Sequence, residues 1–172
     1  IGIAAPGVAN SETGVAEYCN NIYFREYPIV AKLKELTDVQ SIKLANDANA
    51  AALGEAVAGA AKDARISMIV TLGTGVGGGI VIDGKIWEGI NGFAAEIGHM
   101  TIDSEGRACG CGKRGCFEAY CSATAIINEA KRTMKLDPES IMWQMCDNDI
   151  DKMNAAIPFR AAEAGDISAR IV

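Results

Sequence analysis

Apolar runs broken by polar or glycine-rich stretches divide this chain into short strands and helices. Ile1–Ala5 reads as a buried strand that stops at the turn signal Pro6-Gly7. Asn10–Gly14 is a second turn, followed by an extended piece to Tyr18. Val30, Leu33 and Leu36 recur at helical spacing and predict a helix over 29–36. A short strand over 42–45 runs into Asn46-Asp47, which opens an alanine-rich helix from about Ala48 to Ala61. Ser67–Leu72 and Gly79–Ile82 read as buried strands joined by a tight hairpin turn through Gly73–Gly78. Asp83-Gly84 marks a second hairpin into Lys85–Glu88. Ser122 is placed to cap a helix to Met134. Pro138–Met145 reads as further helix, and 150–172 as helices interrupted at Pro158 and Gly165. The natural boundary falls near Lys62–Arg65.

Composition narrows the possibilities. With 172 residues and 49% hydrophobic content the chain can bury a core of about one domain. A formal charge of −6 argues against a broad nucleic-acid or anionic-membrane surface. No apolar stretch reaches membrane-spanning length. Six cysteines without an export signal point to reduced thiols and a cytoplasmic setting. The chain starts inside a strand pattern and stops inside a helical one, so it reads as an internal segment of a longer protein.

The densest chemistry lies at Cys109, Cys111 and Cys116, a C-x-C-x4-C knuckle laced with Gly110, Gly112 and Gly115. The single histidine, His99, stands upstream. These four residues can enclose one tetrahedral Zn²⁺ with no open position, which makes the ion structural. Disulfides, or cysteines serving as small buried apolar residues, are the alternatives. Cys109 and Cys111 are too close to pair comfortably. Cys19, Cys121 and Cys146 carry no ligand pattern and read as ordinary thiols.

Three further segments carry polar groups suited to a site. The glycine run from Gly73 to Gly79 can aim successive N–H groups at a phosphate, with Thr74 adding a hydroxyl; close strand packing is the other use of such glycines. Asn46-Asp47 places an amide and a carboxylate where a strand meets a helix, which suits a cap or a general base. Glu96 and Glu118 flank the knuckle and can accept hydrogen bonds from substrate hydroxyls; solvent exposure is the default for glutamate. Glu12, Glu35, Glu55 and Glu129 read as solvent-exposed. Trp87, Phe93 and Phe117 read as core or pocket wall.

Together, the run Leu72–Gly79, Glu96-Ile97-Gly98-His99, the segment Cys109–Glu118, the segment Asn46–Glu55 and the opening Gly2–Gly7 resemble the ROK family of bacterial sugar kinases and sugar-responsive repressors. The likeness runs to about Ser122 and continues more loosely through Ala161–Asp166. It implies an α/β, actin-like or ribonuclease-H-like ATPase fold of two lobes, incomplete at both ends. Residues 1–62 would end the N-terminal lobe, and 63–172 would form part of the C-terminal lobe. It further implies Asp47 as catalytic base, with Asn46, Glu96, His99 and Glu118 on the sugar hydroxyls. Thr74 and Gly75 would meet the ATP phosphates, and His99, Cys109, Cys111 and Cys116 would hold the Zn²⁺. Gly7 and Asn20 stand where the family has further sugar contacts. The implied reaction is phosphorylation of a hexose, glucose first, by ATP with Mg²⁺, in a protein that pairs as a homodimer.

Two departures matter. No D-x-G-G-T phosphate loop and no adenosine-packing segment stand in this chain, so by itself it is expected not to turn over ATP. Ala95 stands where many glucokinases have glycine, which loosens the inference about the sugar. N-acetylmannosamine or another hexose is the nearest rival substrate. A sugar-sensing repressor with an upstream DNA-binding domain is a rival of another class, and a zinc-stapled assembly module is a third.

Overall fold

The computed structural model describes residues 1–19 and 22–172; Asn20 lies outside them. By its internal contacts the chain forms two compact units. The first is Ile1–Thr71 with Gly77–Glu96, the second Leu72–Val76 with Ile97–Val172.

In the first unit, β1 (Gly2–Ala5) pairs in parallel with β5 (Lys43–Asn46), in a register that sets Ala5 beside Asn46. A parallel pair needs a crossover, and the intervening residues supply it. They form an antiparallel sheet of β2 (Val8–Asn10), β3 (Val15–Cys19) and β4 (Phe24–Tyr27), followed by helix α1 (Ile29–Leu36). Helix α2 (Asp47–Ala58) follows β5 directly. A third sheet takes β6 (Ile66–Leu72), β7 (Val76–Ile82) and β8 (Lys85–Ile86) in that order.

The run of glycines opening β7 is explained by α2. A Cβ on Gly79 would lie 2.5 Å from the Ala52 Cβ, and one on Gly77 would lie 2.9 Å from the Ala48 Cβ. Ala52 is fully buried there. Gly77 and Gly79 are therefore strand residues that admit a helix, Gly78 between them is strand as well, and only Gly73–Gly75 remain as the turn. On β6 the alternation is inverted: Ile66, Met68, Val70 and Leu72 face outward and are 44–68% exposed.

The second unit carries the knuckle and the C-terminal helices. Helix α3 (Glu118–Cys121) runs into α4 (Ala123–Leu136), capped as expected by Ser122, whose hydroxyl accepts from the Ala125 N–H at 3.1 Å. Met134, Met142, Cys146, Met153, Ile157 and Ala161 form its buried core. The expected helix over 138–145 shortens to α5 (Met142–Met145), because Asp137–Ser140 turn and Asp166 accepts from the Ile141 N–H at 2.7 Å. Helix α6 (Ala156–Glu163) is not interrupted by Pro158, which sits in its first turn where its missing N–H costs nothing. Gly165, at φ +98°, does stand just past its end. Glu129 also departs from expectation: its side chain is only 11% exposed and pairs with Arg107 at 2.8 Å and with Arg132. The Arg132 hydrogen bond holds its carboxyl below the usual range, against the opposing effect of burial.

Candidate functional site

At the β5–α2 junction the capping duty falls on Asn46. Its Oδ1 accepts from the Ala48 and Asn49 N–H groups at 2.9 and 3.1 Å, and its Nδ2 donates to the Gly7 carbonyl at 3.0 Å. Asp47 shares only the Ala48 donor with it. It occupies the first position of α2, exposed, with Oδ1 accepting from the Ala48 N–H at 2.9 Å. A carboxylate at a helix start is favoured by the helix dipole.

Within the same unit, Gly7, Asn46, Asn49, Gly78, Phe93 and Glu96 line a cleft with about 340 Å³ of empty space, partly open solvent. Asp47 is not among the lining residues. Asn49 is the member that sequence reasoning missed. It is 6% exposed, and its buried Oδ1 has no partner among the described residues. Such an orphaned amide oxygen calls for an explanation. The signal was present in Asn46-Asp47-Ala48-Asn49, where a second amide three residues on exceeds what one cap needs. Glu96 is exposed at the cleft. It follows Ala95, whose φ of +63° is in the left-handed region that favours glycine.

In the second unit, one donor atom from each of His99, Cys109, Cys111 and Cys116 lies within 4.8 Å of every other. Cys109 Sγ is 3.7 Å from His99 Nδ1, and Cys111 Sγ is 3.6 Å from Cys116 Sγ. A tetrahedron built on a bond of about 2.3 Å has edges near these lengths. Gly112 and Gly115, at φ +89° and +68°, make the turns that converge the sulfurs. Burial, then the neighbouring Cys109 and Cys111 sulfurs, pushes the fully buried Cys116 thiol up to about 12. A backbone hydrogen bond at Lys113 moves Cys111 the other way, below its ordinary value. One ring nitrogen and three sulfurs at these separations form a donor set that fits a metal ion.

The knuckle is braced to α4. Arg107 stacks over the Tyr120 ring at 4.8 Å and reaches Glu129, while the Tyr120 hydroxyl accepts from the Arg107 N–H at 3.0 Å. The glycine turn belongs to this unit as well. Gly73 N–H donates to the Gly75 carbonyl at 3.0 Å, and Val76 N–H donates to Glu118 Oε2 at 2.8 Å. The Thr74 and Gly75 amides at the tip have no partner among the described residues. They are the two residues from which an anion contact was expected. The structure thus gathers Gly7, Asn46, Asn49 and Glu96 in one unit, and His99, the three cysteines, Glu118, Thr74 and Gly75 in the other.

Comparison with known proteins gives these groups a context. The family described as "ROK family" matches residues 1–172. A glucokinase of Halalkalibacterium halodurans is 45% identical over 170 residues, covering 96% of this chain and 50% of the relative. A xylose repressor of Bacillus subtilis is 36% identical over 90% of this chain and 40% of the relative. The crystal structure of a ROK family glucokinase from Streptomyces griseus in complex with glucose and AMPPNP superposes with a TM-score of 0.84 at 35% identity. That match covers 98% of this chain and 54% of the solved one. The chain therefore spans about half the length of the relatives it matches.

Proposed function

This chain belongs to the ROK family and has the actin-like ATPase fold of its kinases, and from that premise we propose that its protein transfers the γ-phosphoryl group of ATP to a hexose, glucose in the first instance. The observation that carries the reading is the division of labour at the β5–α2 junction. Asn46 caps the helix with its own side chain, and Asp47 beside it is left with an exposed carboxylate. In this reading residues 1–62 complete one lobe and 63–172 belong to the other.

Asp47 accepts the proton of the sugar's primary hydroxyl as that oxygen attacks the γ-phosphorus; the bond to ADP breaks and ADP leaves with the electron pair. Asn46 has one Nδ2 hydrogen left after its bond to Gly7, enough to hold one hydroxyl. Glu96, Asn49, His99 and Glu118 supply the remaining hydroxyl contacts, the His99 ring through the nitrogen that faces away from Cys109. The Thr74 and Gly75 amides receive phosphate oxygens, and Mg²⁺ would offset phosphate charge. Zn²⁺ held by His99, Cys109, Cys111 and Cys116 would fix the imidazole in place.

A coupled assay for ADP over glucose, mannose, N-acetylmannosamine and xylose tests the reading on the intact protein. Glucose-dependent ADP release above the other sugars is the expected result. Sugar binding without ADP release from any of them would favour the repressor relationship instead.

A further inference from the structure

The second unit contains a link between the knuckle and the glycine turn that a sugar-contact role for Glu118 does not use. Glu118 follows Cys116 by two residues, and its carboxylate points two ways. Oε2 accepts the Val76 N–H at 2.8 Å, and Oε1 lies 4.0 Å from the Cys109 sulfur. Gly75 makes the first contact possible, because a Cβ there would fall on Oε2. The residues that follow add two more ties. Ala123 N–H donates to the Gly73 carbonyl at 2.9 Å, and the Thr124 hydroxyl donates to the Thr74 carbonyl at 2.8 Å. The turn is thus held from the 118–124 segment, which begins two residues after Cys116 of the candidate metal-ligand set.

We propose that Glu118 is a positioning residue for the glycine turn, transmitting the order of the metal knuckle to the backbone that presents the Thr74 and Gly75 amides. The physical basis is charge and geometry. A carboxylate bound to a single amide restrains that amide more firmly than a neutral acceptor does. With the Val76 N–H and the Gly73 carbonyl both tied, the turn that carries the two tip amides is held at each end. Ligation of Cys109 and Cys116 fixes the peptide that carries Glu118, so losing the metal frees the turn as well as the knuckle. Metal held by these residues would then order the backbone on the phosphate side in addition to the imidazole. This rests on the proposed reading of the turn as a phosphate contact, but its structural half can be measured without any nucleotide.

The experiment is amide hydrogen exchange of the zinc-loaded chain, resolved at Val76 by NMR. Glu118→Ala is expected to speed Val76 exchange by about tenfold or more, and Glu118→Gln, which retains an acceptor, to recover most of the protection. Stripping zinc from the wild type with a chelator is expected to speed Val76 in the same direction. Amides of the Met134–Ala161 core serve as the fold control. Should Glu118→Ala not fold, Gly75→Ala displaces the carboxylate with a methyl group and is read in the same way. Val76 exchange that is unchanged in these variants, or that ignores zinc removal, overturns the proposal. A second arm measures AMPPNP and glucose affinity in the intact protein, where Glu118→Ala is expected to weaken AMPPNP and Glu118→Gln to restore it. If Val76 protection responds as stated while AMPPNP affinity does not move, the link stands and the phosphate reading of the turn falls.

Discussion

Asn46 donates from Nδ2 to the Gly7 carbonyl at 3.0 Å, which pins the strand–helix junction to the turn after β1. The same side chain accepts from two backbone N–H groups of α2. Asn46→Ala removes all three bonds and is expected to cost about 1–3 kcal/mol, seen as a lower urea midpoint at unchanged slope. Asp47→Asn keeps an acceptor for the Ala48 N–H on an exposed side chain and is expected to stay within about 0.5 kcal/mol of wild type. Equal losses in the two variants would contradict this division of roles.

Ala95 adopts φ +63° where an L residue with a Cβ is disfavoured. Ala95→Gly removes that strain at the residue before Glu96. Stability is expected to rise by about 1 kcal/mol, or roughly 2–4 °C in the thermal midpoint. A fall in the midpoint would show that the backbone there is held for a reason other than the one given.

The four-residue donor set leads to a stoichiometry. Purified protein is expected to carry about one zinc per chain, and Cys111→Ser to lose most of it. Inductively coupled plasma mass spectrometry measures both. Full zinc retention in Cys111→Ser would remove that sulfur from the ligand set.

Asp166 stitches the C-terminal helices together. Burial acts to raise its carboxyl, but hydrogen bonds from the Ala169 N–H at 2.7 Å, the Ser140 hydroxyl at 2.9 Å and the Ile141 N–H at 2.7 Å outweigh that and hold it below the ordinary value. A depressed folded value contributes stability that is complete above the unfolded value of about 3.9 and is lost as pH falls through the folded one. The stability gap between wild type and Asp166→Asn is therefore expected to be constant from neutral pH to about 5, then to close below about 4. A gap that persists unchanged at pH 2–3 would mean that the charge is not what stabilises.

Local signals were legible wherever the chain's own periodicity decided the outcome. Helix α1 spans Ile29–Leu36 as the Val30, Leu33, Leu36 spacing implies, and Ser122 caps α4. The knuckle could be read because its ligands lie close in sequence and its glycines set the turns. Strands β2 and β4 were not legible, since three or four residues such as Val8–Asn10 hold too few alternations to show a period. Gly77 and Gly79 misled because a glycine serving helix approach looks the same in sequence as one serving an anion. The Glu118–Val76 bond spans 42 residues, and nothing local to either residue announces it. Glu129 read as exposed for the same reason, its partner Arg107 being 22 residues away.

The central claim is that Asp47 accepts the proton of a sugar hydroxyl during phosphoryl transfer. Turnover of glucose and ATP by the intact protein, compared between wild type and Asp47→Asn with glucose affinity measured alongside, tests it most directly. The account predicts a loss of about 10²–10⁴-fold in kcat with glucose affinity largely kept. Undiminished kcat in Asp47→Asn would contradict it.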